Sequence, residues 1–199
     1  EGTLDGKGFK ITLADKPLAK NVSGTIQNIG INSAGTIESK DTFGSMAVTL
    51  SGTIQNSYSV ASIKLSGWMG EVGGLVGTLS SGTIKNSYFA GTIDSMLYGG
   101  LVGINNSANS MLSNCYYTVN ATGPVSMAYP KPQQVNCDKK TKDELKSSEG
   151  VSLLNTSLPD TGFIWTSSEG GDNDGLPTLK EGKLQPPSDK VEKTKLENY

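Results

Sequence analysis

The stretch Ser23–Asn28, SGTIQN, decides the fold, because it returns unchanged at Ser51–Asn56 and as SGTIKN at Ser81–Asn86. A weaker fourth copy, MLSN, ends at Asn114. The final asparagines of the four copies are separated by 28, 30 and 28 residues. A fixed period of this length is typical of chains that stack one structural unit, and it therefore predicts a repeat architecture.

The residues of each copy alternate between apolar and polar, which predicts a half-buried β-strand. Residues two apart lie on the same side of a strand, so Ile54, Asn56 and Tyr58 are predicted to share one apolar face. Thr53 and Gln55 fall on the opposite, polar face. This period of two does not fit a helix.

A glycine-rich segment forms the second part of the repeat. It reads EVGGLVGTLS at Glu71–Ser80 and YGGLVGIN at Tyr98–Asn105, with a diverged version at Thr42–Ser51. Such glycines suit a strand whose backbone approaches a neighbour closely. One unit cannot bury its own apolar face, whereas stacked units can. We therefore predict an all-β, right-handed parallel β-helix of about four to five coils with a small C-terminal capping element.

Stacked coils place equivalent side chains about 4.8 Å apart, so the repeat predicts two structural ladders. Stacked asparagine amides would bond to one another, as in cross-β structures, and the tyrosines would form an aromatic stack. The ladders consist of Asn28, Asn56, Asn86 and Asn114, and of Tyr58, Tyr88 and Tyr116. Outward hydroxyl rows, which we interpret as a solvated polar face with ice binding as a remote alternative, contain Ser23, Thr25, Ser51, Thr53, Ser81 and Thr83.

The C-terminal part has a different character. The capping-box spacing of Thr141 and Glu144 predicts a short helix from Thr141 towards Asn155. Its apolar residues would plug the last coil, and Phe163–Trp165 would add a strand, so that open strand edges are covered. The predicted organisation is a β-helix at 1–127, a cap at 128–180 and a polar linker or disordered tail at 181–199.

Several motifs resemble the GLUG-motif repeat of bacterial surface proteins. They are GGLVG at Gly73–Gly77 and at Gly99–Gly103, each followed by an I/L-x-N-x-Y phrase. GTLDGKGFKITL, at 2–13, is similar to the first coil of such proteins, and the region after Cys137 is similar to their closing element. The resemblance implies a β-helix in an extracellular, secreted or wall-linked bacterial setting. It implies adhesin-like chains or accessory regions of immunoglobulin-A-cleaving metallopeptidases, and no particular ligand.

Composition narrows the chemistry. All 17 basic residues are lysine, and histidine and arginine are absent. The chain therefore has no Ser-His-Asp arrangement, no histidine-bearing zinc site and no arginine-rich nucleic-acid groove. The nearest acids, Glu38, Asp41 and Glu71, are interpreted as solvated turn charges, and 170–181 as a turn that matches a calcium loop poorly. We predict no enzyme, no metal, no cofactor, no nucleic-acid partner, no membrane insertion and a monomer.

The two cysteines leave two alternatives open. Cys115 and Cys137 either form one disulfide in an oxidising compartment or remain two buried free thiols. The chain begins inside a repeat-like phrase, which we interpret as part of a longer protein. Neither observation changes the predicted fold.

The function that these features favour is a non-catalytic, adhesin-like surface module. It would bind host or microbial glycans or extracellular-matrix protein, or act as a rigid spacer; the alternative is an accessory segment of a carbohydrate-active enzyme or surface peptidase. The predicted binding residues are Trp68 and Met69, in the glycine-flanked loop Lys64–Glu71, and Tyr98, at the end of the equivalent loop of the next coil. An exposed tryptophan suits sugar stacking, although a loop tryptophan can also fold back over a core.

Overall fold

The structure is a computed structural model that describes residues 2–67, 70–159, 161–168 and 172–183. Over these residues the chain forms a parallel β-helix followed by a C-terminal element, as the repeat predicts. Strands of successive coils pair in parallel, and the final pair of strands is antiparallel. A full coil contains four strands, two more than the two conspicuous segments of the repeat indicate.

The strands vary from two to nine residues. In chain order they are β1 (Thr3–Asp5), β2 (Lys10–Leu13), β3 (Ala19–Val22), β4 (Thr25–Ser33), β5 (Thr36–Ser39), β6 (Phe43–Gly44), β7 (Ala47–Leu50), β8 (Thr53–Ser59), β9 (Ser62–Leu65), β10 (Val72–Gly73), β11 (Val76–Leu79), β12 (Thr83–Phe89), β13 (Thr92–Asp94), β14 (Tyr98–Gly99), β15 (Val102–Asn105), β16 (Met111–Tyr117), β17 (Val125–Ala128), β18 (Gln133–Lys139), β19 (Thr161–Thr166) and β20 (Thr178–Lys183).

Four parallel sheets form the sides of the β-helix. The repeated hexapeptides form the main sheet, β1-β4-β8-β12-β16-β18, in which β2 also pairs with β4. The GGLVG segments contribute strands to two other sheets, β14-β10-β6 and β17-β15-β11-β7-β3. The fourth sheet, β13-β9-β5, consists of short strands that lie between the other two parts of the repeat. Strands β17 and β18 continue this pairing as far as Lys139, beyond the expected boundary at residue 127.

Each repeat asparagine forms a corner within its long strand. The φ angles are 54° at Asn28, 46° at Asn56, 48° at Asn86 and 51° at Asn114, in the left-handed region that asparagine tolerates better than most residues. The corner shifts the alternation of side chains. The prediction that Ile54 and Tyr58 share a face is therefore wrong, because the isoleucine packs inside the coils and the tyrosine packs outside them.

The inner core is the set of apolar residues enclosed by the coils, and it includes Ile26, Ile54, Ile84 and Leu112 in consecutive register. The GGLVG glycines make room for its aromatic rings. A Cβ atom added to Gly74 would collide with the Phe89 ring, and one added to Gly100 would collide with the Tyr117 ring. These glycines are required by close packing.

The coil before that of Gly74 carries different residues at the equivalent positions. Ser45 stands at the position equivalent to Gly74, where its N–H donates to the Gly74 carbonyl. Ser59 is the register partner of Phe89, whose ring a Cβ added at Gly74 would meet. A side chain replaces the glycine where the ring is replaced by a small residue. The two changes occur together where TFGSMAVTLS departs from the GGLVG pattern.

The C-terminal element contains two helices, α1 (Lys142–Lys146) and α2 (Ser148–Leu154). The predicted capping box is present, with Thr141 as the N-cap and Glu144 at the third position. The single predicted helix is interrupted at Ser147, which is extended at ψ 160° and accepts a hydrogen bond from Gly150 N as the N-cap of α2. A serine whose side chain caps the start of a new helix has a non-helical backbone, and the preceding helix therefore ends there.

This element packs along the flank of the β-helix, and the prediction that it plugs the last coil is therefore wrong. It forms an outer core, which we define as the buried cluster Tyr58, Tyr88, Ala90, Tyr116, Leu145, Leu154, Trp165, Leu176 and Leu179. The element reaches back to the first coil, where a Cβ added at Gly8 would lie 2.9 Å from the Leu179 carbonyl oxygen and 3.1 Å from the Phe163 ring. Because the asparagine corners turn the tyrosines outward, the flank has an apolar surface that must be covered.

Candidate functional site

The asparagine row has different partners along its length. At its N-terminal end, Asn28 Nδ2 donates to Asp5 Oδ1 at 3.0 Å, and Asn56 Nδ2 lies 3.4 Å from Asn28 Oδ1. Further along, Asn86 Nδ2 donates to the carbonyls of Leu154 and Thr156 at 2.8 and 2.7 Å. Asn114 also donates to the Thr156 carbonyl at 3.2 Å, and it accepts from Asn136 Nδ2 at 2.9 Å. The row therefore has amide-to-amide bonds towards both ends and anchors the C-terminal element at Asn86 and Asn114.

The tyrosine stack is part of the protein's own packing. The rings of Tyr58 and Tyr88 lie 5.2 Å apart at an interplanar angle of 8°, and Trp165 tilts against both. Tyr88 donates to the Pro177 carbonyl at 2.6 Å and accepts from Asn173 at 2.9 Å. Its burial raises the pKa of the Tyr88 hydroxyl well above the ordinary range. These rings offer no ligand platform.

The turn Asp172–Gly175, part of the segment that matches a calcium loop poorly, holds this stack in place. Asn173, with a φ of 53°, turns its amide towards Tyr88, and Asp174 lies 3.9 Å from Lys142. Within the described ranges no three side chains of the metal-binding types come together. The turn anchors the C-terminal element to the β-helix.

The predicted binding loops do meet on the side of the β-helix. Trp68 and Met69 themselves lie outside the described residues. The residues around them and the loop of the next coil enclose a cavity of about 600 Å³, within the usual size range of small-ligand pockets. We call it the loop cavity, and its lining consists of Leu65, Ser66, Gly67, Gly70, Glu71, Ser95, Met96 and Leu97.

The rim of the loop cavity presents apolar side chains to solvent. Met96 is 93% exposed and Leu97 is 57% exposed. Neighbouring strands in register, β9 and β13, lead into the two loops and fix their spacing. Adjacent exposed apolar residues beside a cavity are typical of a binding surface.

Glu71 differs from the surface charge that the sequence predicts. Its side chain is only 8% exposed, and its Oε2 has no hydrogen-bond partner within the described part of the chain. Burial raises the pKa of this carboxyl group, an effect partly offset by a hydrogen bond from Ser126. Its position directly before the buried strand β10 was the available sequence signal, because residues beside a buried strand share its burial.

The other two acids do not gather with Glu71 into a catalytic pair. Glu38 is exposed and forms an ion pair with Lys64 at 3.3 Å. Asp41 is exposed in a turn, where its backbone N–H donates to Ser39 Oγ at 3.2 Å. For these two residues the solvated-turn interpretation agrees with the structure.

Tyr98, the third predicted binding residue, is not among the residues that line the loop cavity. Its side chain is half-buried against the inner core, and its hydroxyl donates to the Asn120 carbonyl at 3.2 Å. It lines a separate groove of about 560 Å³, together with Lys139 and Lys140. The strand alternation turns Tyr98 away from Leu97, its neighbour in the chain.

The two cysteines are register partners on adjacent strands, β16 and β18, and the structure carries both as free thiols. Cys115 is buried, which raises the pKa of its thiol, whereas a hydrogen bond from Cys115 lowers the pKa of Cys137. The hydroxyl rows are also in register, through Thr25, Thr53 and Thr83. The next position along that row is Met111, so the row is short.

These features define a parallel β-helix protein with a cavity between its lateral loops. The fold is similar to that of a Bacteroides ovatus protein provisionally named an immunoglobulin A1 protease, known from a crystal structure at 1.30 Å. The two share 15% sequence identity with a TM-score of 0.56, over 87% of this chain and 75% of the other. No protein-family model and no curated protein matches the sequence. None of the described helices has the length and apolar character needed to cross a membrane.

Proposed function

We propose that this chain is a non-catalytic recognition module of a bacterial surface or secreted protein, of the adhesin-like kind that carries GLUG repeats. It binds a glycan or an extracellular protein at the loop cavity. The observation that carries the proposal is the cavity itself, built by two equivalent loops and rimmed by the exposed Met96 and Leu97. The rigid stack of coils below it keeps the two loops at a fixed spacing, which lowers the entropic cost of binding.

The test is an array of glycans and extracellular-matrix proteins probed with the 199-residue chain. A saturable hit should lose at least about tenfold in affinity in the double variant Met96→Ser/Leu97→Ser, because the apolar rim is removed. The matched control is Met127→Ser, since Met127 is 52% exposed on another side of the β-helix. Binding that survives the double variant would move the site elsewhere, and a blank array would favour a rigid spacer.

The alternative is an accessory segment of a larger surface peptidase whose active site lies outside residues 1–199. The likeness in fold to the Bacteroides ovatus protein favours this alternative. It predicts that the chain co-elutes with immunoglobulin A1 and leaves it uncleaved. Size-exclusion chromatography followed by a denaturing gel measures both outcomes, and separate elution would argue against it.

A further inference from the structure

The two cysteines belong to a row of side chains that runs through the main sheet. The row continues from one coil to the next, and each member donates to the carbonyl two residues before it, at 2.7, 2.8, 3.1 and 3.4 Å in chain order. Its members are Ser57, Ser87, Cys115 and Cys137. The row is therefore hydroxylic in the earlier coils, and the two cysteines of the chain occupy its next two positions side by side.

The strand pairing brings the two thiols together. Cys115 on β16 and Cys137 on β18 are register partners in a parallel pair, and such partners have Cα atoms about 4.8 Å apart. A disulfide requires Cα atoms about 4.4–6.8 Å apart. The two side chains make the same contact with their own strands and therefore point the same way, and Cys137 packs against the inner core that contains Cys115. The placement of the two cysteines thus suits a bond between their sulfur atoms.

The two thiols differ in how easily an oxidant can reach them. Cys115 is buried in the inner core, whereas Cys137 is half-buried on β18. Among the described residues β18 pairs on one side only, and its other side chains are exposed. Hydrogen bonds from the thiol and the backbone of Cys115 lower the pKa of the Cys137 thiol and outweigh its partial burial. Since the thiolate is the form that attacks a disulfide, Cys137 is the group that reacts first.

We propose that Cys115 and Cys137 form a disulfide that ties the last strand of the main sheet to the strand before it. The thiolate of Cys137 attacks a disulfide-containing oxidant and releases one of its two thiols. Cys115 then loses its proton to water and attacks Cys137 Sγ, which releases the second thiol, so two thiols are oxidised and one disulfide is reduced. The bond closes a loop over residues 116–136, which contains β17, and it stabilises the last coil by restricting the unfolded chain.

The experiment incubates the reduced 199-residue chain with glutathione disulfide under native conditions and measures the intact mass. The unmodified chain should lose two hydrogen atoms and retain no glutathione, and its digest should contain a peptide pair joined at Cys115 and Cys137. Cys115→Ser should retain one glutathione on Cys137, because the second thiol that would displace it is missing. Cys137→Ser should retain none, because Cys115 is buried.

Thermal unfolding measures what the bond contributes. The oxidised chain should melt about 5–10 °C above the reduced chain, and the matched control Cys115→Ser/Cys137→Ser should melt at one temperature under both conditions. Equal melting of the linked and reduced chains would overturn the stabilising role.

The mass measurement decides whether the bond forms. Glutathione retained by the unmodified chain, two thiols that stay reduced, or a covalent dimer would each overturn the proposal. If a single variant does not fold, the mass and the linked peptides of the unmodified chain decide alone. The loop cavity plays no part in this chemistry, so failure of the disulfide would leave the proposed recognition function standing.

Discussion

The inner core and the outer core are built from the same repeats but obey different rules. The inner core takes equivalent residues from successive coils, so each coil buries its neighbour's apolar face. The outer core takes one repeated surface, the stack that includes Tyr58 and Tyr88, and covers it with a unique element that contributes Trp165. A repeat can therefore specify an outward docking surface as firmly as it specifies a core.

The largest expected effect tests whether the outer core unfolds separately. Trp165→Ala should cost about 3–5 kcal/mol, because a buried aromatic side chain is lost and a cavity remains. Trp165 is 1% exposed, and its backbone N–H and carbonyl bond to the side chain of Asn155. We expect the C-terminal element to detach while the coils remain, as measured by limited proteolysis together with β-sheet circular dichroism.

Phe9→Ala is the control for that change, since this ring is 75% exposed. It should alter stability by no more than about 0.5 kcal/mol. Simultaneous loss of the coils and the C-terminal element in Trp165→Ala would show that the two cores form one cooperative unit, and the distinction between them would not hold energetically.

The second prediction concerns the inner core. Gly74→Ala should destabilise the protein by about 1–3 kcal/mol, because the new methyl group collides with the Phe89 ring and the Gly100 carbonyl. Chemical denaturation measures the change. Gly35→Ala is the matched control, as an added Cβ there meets nothing within 4 Å. If the double variant Gly74→Ala/Phe89→Ser is no more stable than the sum of the single effects predicts, the joint presence of Ser45 and Ser59 in the preceding coil is not a compensation.

The inner core follows from the sequence, and the outer core does so only in part. The spacing of the hexapeptides predicts the coil period, and the glycines of GGLVG predict close contacts of the backbone with its neighbours. The alternation of apolar and polar residues along a strand does not indicate that Asn56 adopts a positive φ. That angle belongs to a turn of the backbone and does not depend on hydrophobicity. From that single corner follow the outward tyrosines and the flank position of the C-terminal element.

The candidate site was predictable to a similar degree. Equivalent loops on adjacent coils had to be neighbours, which located the loop cavity. The burial of Glu71 was missed, since an acidic residue in a glycine-rich loop is usually solvated. Tyr98 directly follows Leu97 in the chain, but the alternation of side chains in a strand turns the two residues to different sides, so proximity in sequence does not place Tyr98 in the loop cavity.

The third prediction compares Asn86, which bonds to the C-terminal element, with Asn56, which bonds to the asparagine of the neighbouring coil. Asn86→Gly should cost about 1–2 kcal/mol more than Asn56→Gly, although glycine permits the positive φ at both corners. The reason is that Asn86 donates two short hydrogen bonds to α2 and the residues after it, whereas Asn56 makes one bond of 3.4 Å. Urea unfolding of the two variants measures the difference. Equal losses would mean that the bonds to Leu154 and Thr156 contribute little.

The smallest effect is expected at Asp5, where the asparagine row ends away from the bonds to α2. Partial burial raises the pKa of Asp5, but hydrogen bonds from the Lys7 backbone, Asn28 and Gln27 outweigh it and lower the pKa to about 2. A lowered pKa in the folded state stabilises the protein above the unfolded pKa of 3.8, and this contribution disappears as the pH falls towards 2. Because the side chain is partly solvated, we expect about 1 kcal/mol.

Asp5→Asn should therefore lower the free energy of unfolding at pH 7 and should converge with the unmodified chain near pH 2. The exposed Asp15 supplies the control, and Asp15→Asn should leave the stability unchanged at both pH values. A constant gap between Asp5→Asn and the unmodified chain down to pH 2 would assign the effect to shape and not to charge. The open end of the row would then be held by the same neutral amide contacts that join Asn28 to Asn56, and the carboxylate would add nothing to them.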